Sequence, residues 1–84
     1  MVSGKEIIKL SKLLHADHYS AFCTALNIDY SIYSGIKKQH QLNFPDAYEE
    51  VLQRWKAKEG GRRDELENAL REAEAAGLIE KYRE

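Results

Sequence analysis

The residues of this chain best suited to chemistry are His15, His18, His40 and Cys23. Brought to one point, imidazoles and a thiolate could begin a zinc site, and a thiolate beside an imidazole could act as a nucleophile. The spacing supports neither. His15 and His18 sit three apart across an expected helix boundary, Cys23 falls on an apolar stripe, and no paired-cysteine spacing supplies the remaining zinc ligands. A Cys23–His18 pair lacks a Gly-rich oxyanion loop and a third group to orient the base. No metal, cofactor, catalytic residue or small-molecule substrate is therefore expected, and the chain is read as non-enzymatic.

The elements that would position any functional residue must fit into 84 residues, enough for one module spanning 1–84. A chain of this size buries at most about 60% of its unfolded surface. Hydrophobic residues at 43% and charged residues at 32% suit a soluble domain. Apolar runs of two or three residues fall far short of the roughly 20 needed to span a bilayer, so no membrane partner is expected. Residues 1–14 interleave Lys5, Lys9 and Lys12 with aliphatics, the pattern of an amphipathic helix and not of an export signal. A single cysteine cannot form an internal disulfide, which favours a reducing, cytoplasmic setting. Residues 1–42 carry five lysines against Glu6, Asp17 and Asp29, hence +2, and with a total of −1 the remainder is −3. Near-neutrality argues against strong nonspecific nucleic-acid binding, whereas halves of opposite sign allow one copy to meet another.

Apolar residues recur at three and four throughout, and no alternating strand pattern persists, so the expected fold is all-α. A first helix is predicted over 4–14, burying Ile7, Leu10 and Leu14 with Ile8 beside them. Asp17 is the expected cap of a second helix at 18–26, whose stripe is Tyr19, Phe22, Cys23 and Leu26. Asn27 ends it in a left-handed conformation, and Asp29 caps a third helix at 30–39 with Ile32 and Ile36 buried and Tyr33 beside them. Asn43 and Pro45 open a fourth helix at 44–58, where Phe44, Ala47, Tyr48, Val51, Leu52 and Trp55 repeat at three and four on the core face. Gly60 and Gly61 break it, and Asp64 or a neighbour begins a fifth helix carrying Leu66, Ala69, Leu70 and Ala73. Gly77 is expected to end that helix, with Leu78, Ile79 and Tyr82 on a short sixth. Six short helices with tight turns form an antiparallel bundle.

The order of residues in VLQRWKAKEGGRRDELENALREAEAAGLIEKY, positions 51–82, resembles the death domain family of the death-fold superfamily. Leu52 and Trp55 close one helix, Gly60 lies in the turn, Leu66 and Leu70 pair on the next helix, and the segment from Gly77 to Tyr82 follows. Upstream, YSAFCTALNIDYSIYSGIKKQ resembles the family's second and third helices, with Tyr19 where Trp is usual and Asn27 where Gly is usual. The resemblance implies a six-helix Greek-key bundle and homotypic assembly with other death-domain proteins or further copies of itself, in apoptotic or innate-immune signalling. Its geometry would dock the turn bearing Lys56, Lys58, Arg62 and Arg63 against a neighbour's corner bearing Glu72, Glu74 and Glu80. A second contact would set Asp46, Glu49 and Glu50, with helix one, against helices two and three, where Lys37 and Lys38 are the candidate partners; Tyr30 is a candidate exposed contact.

Two other readings compete. SAFCTALNIDYSIYSGIKK has the spacing of a helix-turn-helix DNA binder, but the second helix offers no Arg, Asn or Gln before Gln39 to read base edges, and the acidic C-terminal half repels phosphate. No nucleic-acid partner is therefore expected. Another death-fold subfamily, such as a caspase-recruitment domain, is the other alternative.

Overall fold

Ser3 and Glu6 start the first helix by exchanging hydrogen bonds. The Ser3 hydroxyl accepts from the Glu6 amide at 3.1 Å, and the Glu6 carboxylate accepts from the Ser3 amide at 3.0 Å. Helix α1 then runs over Gly4–Leu13. The computed structural model describes residues 1–83, and among these α1 is followed by α2 (Tyr19–Ala25), α3 (Tyr30–Gln39), α4 (Phe44–Glu59) and α5 (Arg63–Glu72), with single 3-10 turns at Ala16–His18 and Ala76–Leu78. The chain is all-α, as its periodicity predicts.

Helix α4 is the central element: α1 and α3 both pack on it, and α2 packs on α5. Its start follows the sequence reading, since the Asn43 side chain accepts from the Asp46 amide at 3.3 Å and Pro45 occupies the first turn. Its end is Gly60 at φ 88, followed by Gly61 at φ 69, a left-handed pair that costs glycine no steric penalty. The core face of α4, Ala47, Tyr48, Val51, Leu52 and Trp55, is fully or almost fully buried. Tyr19 joins the helices around it, its ring meeting those of Tyr33, Phe44 and Tyr48 edge-on at 5.8, 5.5 and 5.1 Å. The buried phenols of Tyr19 and Tyr48 donate to backbone carbonyls, Tyr19 to Tyr33 and Tyr48 to His15 at 2.8 Å, which satisfies groups that would otherwise be costly to bury.

Several local expectations are corrected. Ile8, beside the buried stripe of α1, is 41% exposed. Asp17 does not cap α2; it lies inside the 3-10 turn, where the His15 ring accepts from the Asp17 amide at 3.1 Å. Asp29 holds the cap position of α3 without a side-chain hydrogen bond. Gly77 does not end α5: the helix stops at Glu72, and Glu74 makes the left-handed break at φ 61. The sixth element is a 3-10 turn extended by Lys81 and Tyr82 amides donating to Leu78, not an α-helix. Its anchor is nevertheless Tyr82, which is completely buried. Asn27, at φ 62, closes α2 as its residue type predicts.

A polar network that the periodicity does not reveal ties both ends of the described chain to α5. Arg63 donates twice to the Glu6 carboxylate, at 2.8 and 3.0 Å, and once to the Tyr82 hydroxyl at 3.0 Å. Tyr82 in turn donates to Glu67 at 2.7 Å, and Arg83 grips the same carboxylate at 2.7 to 3.1 Å. The Val2 amide adds a backbone bond to the Gly61 carbonyl at 2.9 Å.

This network carries a pH prediction. Burial pushes the Glu67 carboxyl up, but hydrogen bonds from Tyr82 and Arg83, with the charges of Arg83 and Arg63, outweigh it and hold the group below its ordinary 4.5. A carboxyl depressed in the folded state contributes stability that is complete above 4.5 and is lost as pH falls through the lower folded value. Urea melts should therefore show stability declining below pH 4.5. Glu67→Gln should be less stable at neutral pH and decline less across that window; identical slopes for the two proteins would remove Glu67 from the acid response.

Candidate partner-binding surface

His15, His18, His40 and Cys23 do not converge on one point. His15 and His18 stand edge-on with ring centroids 6.4 Å apart, while Cys23 is fully buried and its thiol is pushed up to about 12 by burial. The thiolate that either a zinc site or a nucleophile requires is thus disfavoured. Among the described residues no group of three His, Cys, Asp or Glu could hold a metal ion. His40 is engaged elsewhere, its Nε2 lying 2.7 Å from Glu50 Oε1.

Charged side chains dominate the exposed surface, and the fold sorts those picked out by sequence into different situations. At the α4–α5 turn, Lys58 and Arg62 are exposed, and Arg62 pairs with Asp64 at 2.7 Å with both groups well solvated. Such a pair is worth about 0 to 1 kcal/mol, so its exchange for an intermolecular partner costs little. Lys56 is half-buried because its stem covers Gly61, whose added Cβ would come within 2.8 Å of the Lys56 Cγ. Arg63 is not part of this free surface: it turns inward to Glu6 and Tyr82. The expectation of four outward cations is therefore corrected to Lys58 and Arg62, with Lys56 at the margin.

At the far end of α5, Glu72 closes the helix and Glu74 holds its left-handed corner, and both are exposed. Glu80 is exposed on the segment that follows. This corner offers acids where the α4–α5 turn offers Lys58 and Arg62, with Arg71 and Lys81 beside the corner and Glu59 and Asp64 beside the turn carrying the opposite sign. On α4, Asp46 is exposed in the first turn, whereas Glu49 and Glu50 are half-buried and Glu50 is committed to His40. On α3, Lys38 is exposed in the last turn beside a half-buried Lys37. Tyr30 opens the helix with 72% of its surface exposed and its ring 5.4 Å from that of Tyr33.

Three features escape the sequence reading. Glu6 is one, although its Ser-x-x-Glu spacing is a capping-box signature that could have located it. The second is a cleft of about 190 Å³ between the α2–α3 turn and the C-terminal half of α4, floored by Leu26, Ile28, Ile32 and Trp55. The third is Leu42, 67% exposed in the α3–α4 turn at φ 68.

A family model described as Death domain matches residues 4–84 of the chain. No curated protein and no solved structure matches it.

Proposed function

This chain belongs to the death domain family, and on that premise we propose that it assembles homotypically, with other death-domain proteins or with copies of itself, through the cations of the α4–α5 turn and the acids of the corner after α5. Membership makes it a protein-interaction module of death-domain signalling. The observation that carries the finer reading is the placement of the exposed Lys58, in the last turn of α4, and Arg62, just before α5, at one end of α5 and of the exposed Glu72 and Glu74 at its other end. One copy's basic turn can meet the next copy's acidic corner while its own corner stays free, so contacts of this kind propagate. Opposite charges steer and orient such docking more than they tighten it. Asp46 and Glu49, set against Lys37, Lys38 and Tyr30 of a neighbour, supply a second contact in the same scheme.

In this reading the module recruits effectors in apoptotic or innate-immune signalling, performs no catalysis and works in the cytoplasm. A helix-turn-helix role is disfavoured because α3 buries Tyr33 and Ile36 and exposes Tyr30, Ser31, Lys38 and Gln39, a poor set for reading base edges.

Light scattering after size exclusion, over a range of concentration and salt, tests the pairing. Arg62→Glu and Glu72→Lys should each reduce particle size at low salt with less than about 0.5 kcal/mol change in stability, as expected for exposed charges. Mixing the two variants should restore association in part. Unchanged size for Arg62→Glu at low salt would remove this pair of surfaces from the assembly.

A further inference from the structure

Two consecutive residues of the α3–α4 turn, Gln41 at φ 52 and Leu42 at φ 68, hold the left-handed conformation that side chains with a Cβ avoid. The Leu42 amide donates to the Lys37 carbonyl at 3.3 Å, which closes α3 and leaves the leucine projecting into solvent. A strained backbone presenting an exposed branched apolar side chain is an arrangement that folding alone does not reward. The same turn built with glycine would be less strained and more soluble.

The cleft lies at the other end of the same helix pair. Asp29 and Ile32 of the α3 end line it together with Arg54, Trp55 and Lys58 of the α4 end. Helix α4 is 16 residues long, or about 24 Å, in a molecule whose longest extent is 29 Å. Leu42 therefore cannot reach the cleft of its own chain. A cavity of about 150 Å³ admits a benzene ring, so an opening of 190 Å³ has room for an isobutyl group.

We propose that Leu42 of one copy inserts into the Ile32–Trp55 cleft of a second copy, stacking α3–α4 pairs end to end. The charges around the two features agree with this occupant. Lys37 and Lys38 lie beside Leu42 on the α3 side and Asp46 on the α4 side, while the cleft rim presents Asp29 on the α3 side and, on the α4 side, Arg54 and Lys58 with a single acid, Glu59. Translation along the pair sets lysines over Asp29 and Asp46 over Arg54 and Lys58. It also sets each helix's negative C-terminal end toward the positive N-terminal end of the next copy's equivalent helix. The contact is heterologous and leaves a free knob and a free cleft at the two ends of every stack. It rests on the homotypic reading above but uses a different pair of surfaces.

The experiment compares the parent chain with four variants. Leu42→Gly should raise the concentration required for association roughly tenfold or more, while its melting temperature stays equal to or above that of the parent, because glycine relieves the left-handed strain. Leu42→Cys and Ile32→Cys, mixed under a mild oxidant, should form a disulfide between the two variants that neither forms alone. A parent that stays monomeric at every concentration, a Leu42→Gly protein that associates like the parent, or the absence of the mixed disulfide would each overturn the insertion. Association that Arg62→Glu weakens and Leu42→Gly leaves intact would do so while sparing the charged-surface reading. Loss on Leu42→Gly with no effect of Arg62→Glu would do the reverse.

Discussion

Trp55→Ala is expected to lower stability by about 3 to 5 kcal/mol, the range for truncating a large buried aromatic. Trp55 is 2% exposed and sits near the C-terminal end of α4, where its indole Nε1 donates to Glu65 Oε1 at 3.3 Å across the glycine turn. Truncation removes packing among α4, the α2–α3 turn and the start of α5, and it leaves a void that close-packed helices fill only in part. Total stability for a small domain is about 5 to 15 kcal/mol, so the loss leaves little margin. At this chain length, about 4 to 8 °C is lost per kcal/mol, and the melting midpoint should fall by more than about 10 °C or the transition should disappear. Trp55→Phe keeps most of the ring and should lose much less. A Trp55→Ala melt within a few degrees of the parent would show that the indole does not support the core.

The second large effect is expected at Arg63. Its guanidinium is two-thirds buried and pairs with a Glu6 carboxylate that is 6% exposed, and the Glu6 hydrogen bond helps keep the arginine charged. Removing the cation takes the Arg63 charge and its two hydrogen bonds away from the buried Glu6 carboxylate, and the phenol of Tyr82 loses a donor. Breaking a fully buried pair costs about 3 to 5 kcal/mol. Arg63 keeps some solvent contact, so Arg63→Ala should cost about 2 to 4 kcal/mol by urea melts. Arg62→Ala, one residue away, should cost less than about 0.5 kcal/mol, because the Arg62–Asp64 pair is solvated on both sides. Equal losses at the two positions would contradict the inward placement of Arg63. Glu6→Gln should reproduce most of the Arg63→Ala loss, and the double variant should cost less than the sum of the singles, as residues in one network do.

These arginines divide what is local in this protein from what is not. Helix periodicity, the Asn43 cap, Pro45 in the first turn of α4, Gly60 at its end and the burial of Trp55 were all legible in the sequence. Each is governed by residues within about four positions, the reach of a helical turn. The resemblance in residue order extended that reading to the family that the chain proves to match. Local rules failed where two neighbours compete for one role: Asp17 against His15 at a cap, or Gly77 against Glu74 at a helix end.

By itself, then, the sequence determined which segments are helical, which stripe of each faces inward, and that an interaction module was the reading to test. Only the tertiary structure distinguished Arg63 from Arg62. The carboxylate that claims Arg63 lies 57 positions away, and the phenol 19, and no spacing rule spans such separations. Leu42 and its cleft belong to the same class. A leucine beside a helix end reads as core filler until the packing of α3 on α4 leaves it outside and opens a matching apolar floor at the opposite end. Secondary structure follows from contacts along the chain, whereas the choice of surface, clamp or core for a charged or apolar side chain follows from chain closure, which brings its partners from far away in sequence.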